Sequence, residues 1–243
     1  MNSGTTNRTA TITTTTATSV LLPSTTAGYA TIITPMWTRD ALPSVSDRGT
    51  RRAALGGIVG PLGFVAAWIT SAAITDNPYS SIDDAISRLA AVETDTRWLM
   101  TAGFVIFGVS LPIFSLALRS TVGGLASYTA ATTGVATLAV AASPLDHSAT
   151  IDSLHGLFAT VGYVTLAATP VLAASPLASS GHRRLAHFGV AAGVTSAVAL
   201  ALTPTTLPTG LFQRIGLTVS DAWIVATAIA IRHGRVATRR SGH

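Results

Sequence analysis

Residues 53–75 read AALGGIVGPLGFVAAWITSAAIT, an apolar run without one charged side chain. A helix needs about 20 such residues to cross the ~30 Å hydrocarbon core of a bilayer. Only helices and closed barrels satisfy their backbone polar groups in that medium. Barrel strands would be shorter and would alternate apolar with polar positions. A transmembrane helix is therefore expected here, and the rest of the chain repeats the pattern. Comparable runs lie at 98–118, 122–143, 154–175, 185–203 and 210–231. The expected fold class is all-α, a polytopic membrane helix bundle of six transmembrane helices.

Composition agrees. Hydrophobic residues make up 48% of the chain and charged ones 10%, where a soluble domain carries roughly 25% charged residues. Mean hydropathy is +0.51. All 15 basic residues are arginine, and the net charge is +5. In a soluble protein that balance would suggest a nucleic-acid partner. Here the arginines flank apolar runs, where they set orientation, and no nucleic-acid partner is expected. The absence of cysteine excludes disulfides, thiolate metal sites and cysteine nucleophiles.

Arginine placement predicts the threading. Arg48, Arg51 and Arg52 precede the first run, Arg119 follows the second, and Arg183 and Arg184 precede the fifth. Arg232, Arg235, Arg239 and Arg240 follow the sixth, while the opposite side carries only Arg88, Arg97 and Arg214. By the positive-inside rule the protein is a multi-pass protein of the cell membrane with N- and C-termini in the cytoplasm. Residues 1–50 read as a threonine-rich disordered tail, 51–233 as the six-span membrane domain and 234–243 as an arginine-rich cytoplasmic tail. An alternative start at Met36 would remove most of the first segment.

The polar residues left on the extracytoplasmic side form the candidate site. Between spans 1 and 2, DNPYSSIDDAISRLAAVETDTRW (76–98) places Ser80 and Ser81 before Asp83 and Asp84 at cap-like spacing. Ile82, Ala85, Ile86 and Leu89 recur at helical intervals, so a short amphipathic helix is expected, lying on the membrane surface or folded over the bundle mouth. Before span 4, DHSATIDSLHG (146–156) carries Asp146, His147, Asp152 and His155. Asp152 and His155, three apart, share a helix face. Span 6 opens GLFQRIGLTVSDAWI (210–224), with Arg214, Thr218 and Asp221 in one stripe. Asp221 lies about 10 Å deeper than Arg214 by helix rise. A carboxylate at that depth costs at least ~2.5–3.5 kcal/mol unless it is paired, hydrated or protonated. No metal ligand set is expected, because only His147 and His155 fall on this side and no zinc motif is present. No cofactor motif is present either.

Four segments together resemble a family of integral membrane proteins, the domain of unknown function 998. They are NPYSSIDDAISRL after the first span, RWLMTAGFVIFGVSL into the second, SPLDHSATIDSLHGLFATVGY into the fourth and GLFQRIGLTVSDAWI into the sixth. The resemblance spans about residues 50–233. It implies a six-helix membrane protein and supplies no activity. Its motif positions correspond to Tyr79, Asp83, Ser87, Asp146, His155 and Arg214, and Ala90 stands where the family pattern has glycine.

Three functional readings follow from these residues. The first is a binding or structural membrane module with an ion-paired outer rim. The second is an outer-face enzyme acting on a lipid or isoprenoid-like substrate. In it His155 is general base, Asp152 or Asp146 orients it, and Arg214, Ser87, Asp83 and Tyr79 hold the substrate. The third is a proton-coupled transporter that uses Asp221. Membrane lipids are expected partners, with a small amphiphilic ligand at the outer face. Whether the chain is an enzyme stays open on sequence alone, as does its oligomeric state.

Overall fold

The computed structural model describes residues 47–238. The threonine-rich stretch before Asp47, including Met36, lies outside them, as do residues 239–243. Seven α-helices follow in order: α1 (Asp47–Ala53), α2 (Gly56–Ile74), α3 (Arg97–Thr121), α4 (Leu125–Ala142), α5 (Ala149–Ser179), α6 (Arg183–Leu202) and α7 (Thr209–Arg232). Among the described residues there is no strand. Six stretches are long and apolar enough to span a membrane, the first combining α1 and α2. Residues 47–50, expected to belong to the tail, already form the start of α1.

Short turns join successive helices from α3 to α7, while the longer segment 75–96 joins α2 to α3. Each packs on the next from α2 through α7, and α7 returns to touch α2 and α5, closing a ring. Close approach depends on small residues. A Cβ on Gly57 would sit 2.6 Å from the Phe114 ring, and one on Gly60 2.9 Å from Ser110. The small-residue stripe of the first span thus faces α3. Between α4 and α5 the contact is polar: Thr133 and Thr165 share a hydrogen bond of 2.8 Å, and Thr169 donates to Thr129 at 2.9 Å. Trp223 on α7 is fully buried and donates to the Leu185 carbonyl of α6 at 3.1 Å. Outward faces carry Val59, Leu62, Ile69, Val109, Ile113, Val164 and Val198, all exposed. So large an apolar surface is stable facing lipid and would aggregate in water.

Helix ends follow local chemistry. Ser148 caps α5 by accepting from the Ile151 amide, and Asp152 sits in its first turn; negative charge is favourable there. The cap starts α5 five residues earlier than hydropathy suggested, so His155 is fully inside the helix. Gly181, with φ +86°, closes the same helix. Its amide returns to Ala178 and the His182 amide to Leu177, a terminus that a residue with a Cβ forms only under strain.

The segment expected as an amphipathic helix takes a different form. Ser80 and Asp83 do build a cap, with the Ser80 hydroxyl donating to the Asp83 carboxylate at 2.7 Å and the Asp83 amide to the Ser80 hydroxyl at 3.1 Å. The turn stops at Ala85, whose backbone is extended, and a 3-10 helix runs over Ile86–Ala90. Ile86 and Leu89 are buried while Ile82 is 57% exposed. The reason is competition from α7, whose side chains and amides take the backbone groups that a continuous helix would use.

The arginines of the described segment divide unevenly between the bundle's two ends. Arg48, Arg51, Arg52, Arg119, Arg183, Arg184, Arg232 and Arg235 sit at the end holding α1 and the last turn of α7. The other end, here called the rim end, holds Arg88, Arg97 and Arg214.

Candidate functional site

Residues 76–96 lie across the rim end as a lid. Both of its ends are fixed by one carboxylate. Asp95 accepts from the Thr75 hydroxyl (2.7 Å), the Asp76 amide (2.9 Å) and the Thr96 amide (2.9 Å), and its own amide donates to Asn77 Oδ1 at 3.1 Å. These donors, the Asp76 amide first, hold the Asp95 carboxyl below its ordinary pKa. The group therefore adds stability fully above its unfolded value near 3.9, and that contribution is lost as pH falls through the lower folded value. Amide exchange in residues 76–96 is expected to speed up as pH drops below about 4 relative to intrinsic rates. An Asp95→Ala variant should show the faster exchange already at neutral pH.

The middle of the lid is clamped to the first turns of α7. The Leu211 amide donates to the Ile82 carbonyl at 2.8 Å, and Gln213 Oε1 accepts from the Ile86 amide at 2.6 Å. Gln213 Nε2 in turn donates to the Tyr163 hydroxyl of α5. Arg214 donates through Nη1 to the carbonyls of Asp84 (3.2 Å) and Gly210 (2.9 Å), and through Nη2 to the Tyr79 hydroxyl. Its guanidinium lies 5.0 Å from the Trp68 ring centroid and 5.7 Å from that of Tyr79. Burial raises the Tyr79 phenol pKa, and the Arg214 charge opposes that rise. A Cβ on Gly210 would meet the Ser81 carbonyl at 2.8 Å, so only glycine lets the lid come this near α7.

Beneath the lid, inside the ring, is a cavity of about 60 Å³. One water needs roughly 10–15 Å³ of occupied space, so the cavity has room for water or a small ligand. Ile86 and Ser87 of the lid form its roof, and α2, α3, α4, α5 and α7 contribute walls. Gln213, Leu217 and Asp221 line it from α7 at intervals of four. Asp221 is 3% exposed and its Oδ1 has no hydrogen-bond partner. His155 lines it from α5, with Nδ1 2.7 Å from the Ser143 carbonyl. A carbonyl can only accept, so Nδ1 carries a proton, and in the neutral ring Nε2 is an acceptor.

The expected site residues therefore do not gather in one place. Ser87, His155 and Asp221 meet at the cavity. Tyr79 and Asp146 line a separate groove of about 320 Å³ on the rim with Asp84 and Arg88. There Arg88 and Asp146 form an ion pair at 3.0 Å, each side chain 49% exposed, a geometry worth about 0–1 kcal/mol. Asp146 has φ +62°, and its amide donates to Asp152 Oδ1 at 3.0 Å. Asp152 thus holds the turn, and the proton on His155 Nδ1 goes to a backbone carbonyl. Asp83 stays at its cap, and Arg214 serves the lid. Thr218, expected in a stripe with Arg214 and Asp221, is exposed, and the cavity-facing stripe is Gln213, Leu217, Asp221. Gln213 and Tyr163 went unmarked in the sequence. Gln213 was findable as an uncharged polar residue two turns before Asp221 on the same face.

Six membrane-crossing helices closed into a ring, with a lidded cavity at one end, define a multi-pass integral membrane protein. The chain belongs to the family described as Protein of unknown function (DUF998), which matches residues 58–230. No curated protein and no solved structure matches it.

Proposed function

We propose that the protein is a binding module of the cell membrane, with the rim end outside, both ends of the chain in the cytoplasm, and a small ligand held in the cavity beneath the lid. The observation that carries this reading is Asp221. An ionisable side chain inside a bundle is costly and needs a partner, yet Asp221 lines an apolar-walled cavity and its Oδ1 has no partner. A ligand that engages it would supply what the protein does not. Arginine asymmetry supports the orientation, and Arg183, Arg184 and the C-terminal arginines suit anionic lipid head groups.

The enzyme reading draws less support. His155 donates to a backbone carbonyl, so neither Asp152 nor Asp146 orients it as a base. For the carrier reading, Asp221 is the single favourable feature. The test is a panel of small ammonium compounds, carboxylates and polyols added to protein in lipid nanodiscs. At least one should raise the melting midpoint of the wild type and leave Asp221→Asn unmoved. If none does, or if the shift survives in the variant, the proposal is wrong.

A further inference from the structure

The walls of the cavity narrow the chemistry of its ligand. Five aromatic rings face the space: Phe64 from α2, Phe104 and Phe107 from α3, and Phe158 and Tyr163 from α5. Phe64 packs on Phe104 and Phe107 with centroids 5.7 and 5.4 Å apart, a tilted cluster on one side of the space. Asp221 enters from α7 and is the one carboxylate among the lining residues. Ring faces carry negative quadrupole density and attract a cation, most strongly where water is excluded. A single carboxylate beside several aromatic rings is an environment for one positive charge with an apolar coat.

Other ligand classes fit worse. A metal ion such as calcium wants six to eight oxygen ligands. Here the Thr133 and Thr137 hydroxyls each donate to a carbonyl of their own helix at 2.9 Å. The Gln213 amide and Tyr163 hydroxyl bind each other, and Gln213 also takes the Ile86 amide. Among the described residues no group of three histidine, cysteine or acidic side chains gathers. An anion would find no arginine in the wall, since Arg214 is held by Tyr79, the Asp84 carbonyl of the lid and the Gly210 carbonyl of α7. A sugar or polyol would need a hydrogen-bonding group for each of its hydroxyls, and beyond Asp221, His155 and Ser87 the wall is aromatic and aliphatic or already paired.

We infer that the cavity takes a small organic cation, a methylated or alkyl ammonium, with its charge on Asp221 and its methyl groups against the rings. This rests on the cavity being a binding site, as proposed above, and adds the class of ligand.

The probe is tetramethylammonium chloride, compared at equal ionic strength with sodium chloride and with tert-butanol, a neutral molecule of the same heavy-atom count. Melting midpoints and isothermal titration are read on the wild type, Asp221→Asn and Phe107→Leu in nanodiscs. Tetramethylammonium should bind the wild type saturably, fail to bind Asp221→Asn, and bind Phe107→Leu about tenfold more weakly through loss of one ring. Equal binding of tert-butanol, or undiminished binding to both variants, overturns the cation assignment. If acetate or tert-butanol binds in an Asp221-dependent way and tetramethylammonium does not, the binding site stands and its cation chemistry falls. If no probe binds the wild type, both fall together.

Discussion

An Asp221→Leu protein is expected to melt at a higher temperature than the wild type, by about 3–10 °C. Leaving a buried polar group unsatisfied costs about 1–3 kcal/mol, and one kcal/mol shifts the midpoint of a chain this size by roughly 2–4 °C. Asp221 is 3% exposed with an unpartnered oxygen, and leucine would remove the polar group while its extra bulk enters the adjacent cavity. The sign is what discriminates. A carboxyl holding two helices together would make the same substitution destabilising. A gain in stability would mark Asp221 as a residue kept against the interest of the fold, which is the behaviour of a ligand-binding group.

Arg214→Ala should have the opposite effect, confined to the lid. Hydrogen bonds from a charged donor contribute about 1.5–3 kcal/mol, and the stack on Trp68 and Tyr79 adds about 0.5–2. Part of this is screened, because Arg214 is only half-buried, so a loss of about 2–4 kcal/mol in lid closure is expected. Hydrogen exchange reads it directly. The Ile86 and Leu211 amides, both bonded across the lid–α7 junction, should lose about 30- to 700-fold in protection. Amides in the middle of α4 should not change. Arg214→Lys should rescue little, because an ammonium cannot bridge the Tyr79 hydroxyl and two carbonyls while stacking on a ring. If protection at Ile86 is unchanged in Arg214→Ala, the guanidinium is not the clamp.

These two residues also show what a sequence can and cannot carry. Both were marked in advance by cost: charge inside an apolar run is rare enough to demand a reason. The six helices were legible for the same reason, since the continuous apolar runs between arginine clusters admit few other structures. Helix starts were less so. The first turn of α5 depends on Ser148 capping, a local hydrogen bond that hydropathy does not register.

The grouping of the polar residues was harder still. Asp146, His155, Arg214 and Asp221 looked like one rim because they share one side of the membrane. Their separation depends on depth and rotation. His155 and Asp221 turn into the ring, Asp146 turns out to Arg88, and Arg214 turns up to the lid. Rotation about a helix axis is decided by packing against neighbours, and a stripe at i, i+4 and i+7 does not fix which face is inward. Gln213 beside Arg214 shows the limit most plainly. One residue of angular shift separates the side chain that lines the cavity from the one that stacks on Trp68. The aromatic walls were not visible at all, because Phe64, Phe107 and Phe158 come from three different spans and read as ordinary span residues.

The cavity lies within the ring beneath the lid, and in the proposed orientation it is reached from the rim side. The chain has no cysteine, so one introduced thiol reports without background. Thr137→Cys places it on α4 at the cavity wall, with His147→Cys and Arg235→Cys marking the two ends. In intact cells, a small impermeant thiol reagent should modify the residue 137 and 147 variants and spare the residue 235 variant until the membrane is permeabilised. A thiol at 137 that reacts only after denaturation, or only together with the one at 235, would contradict the account.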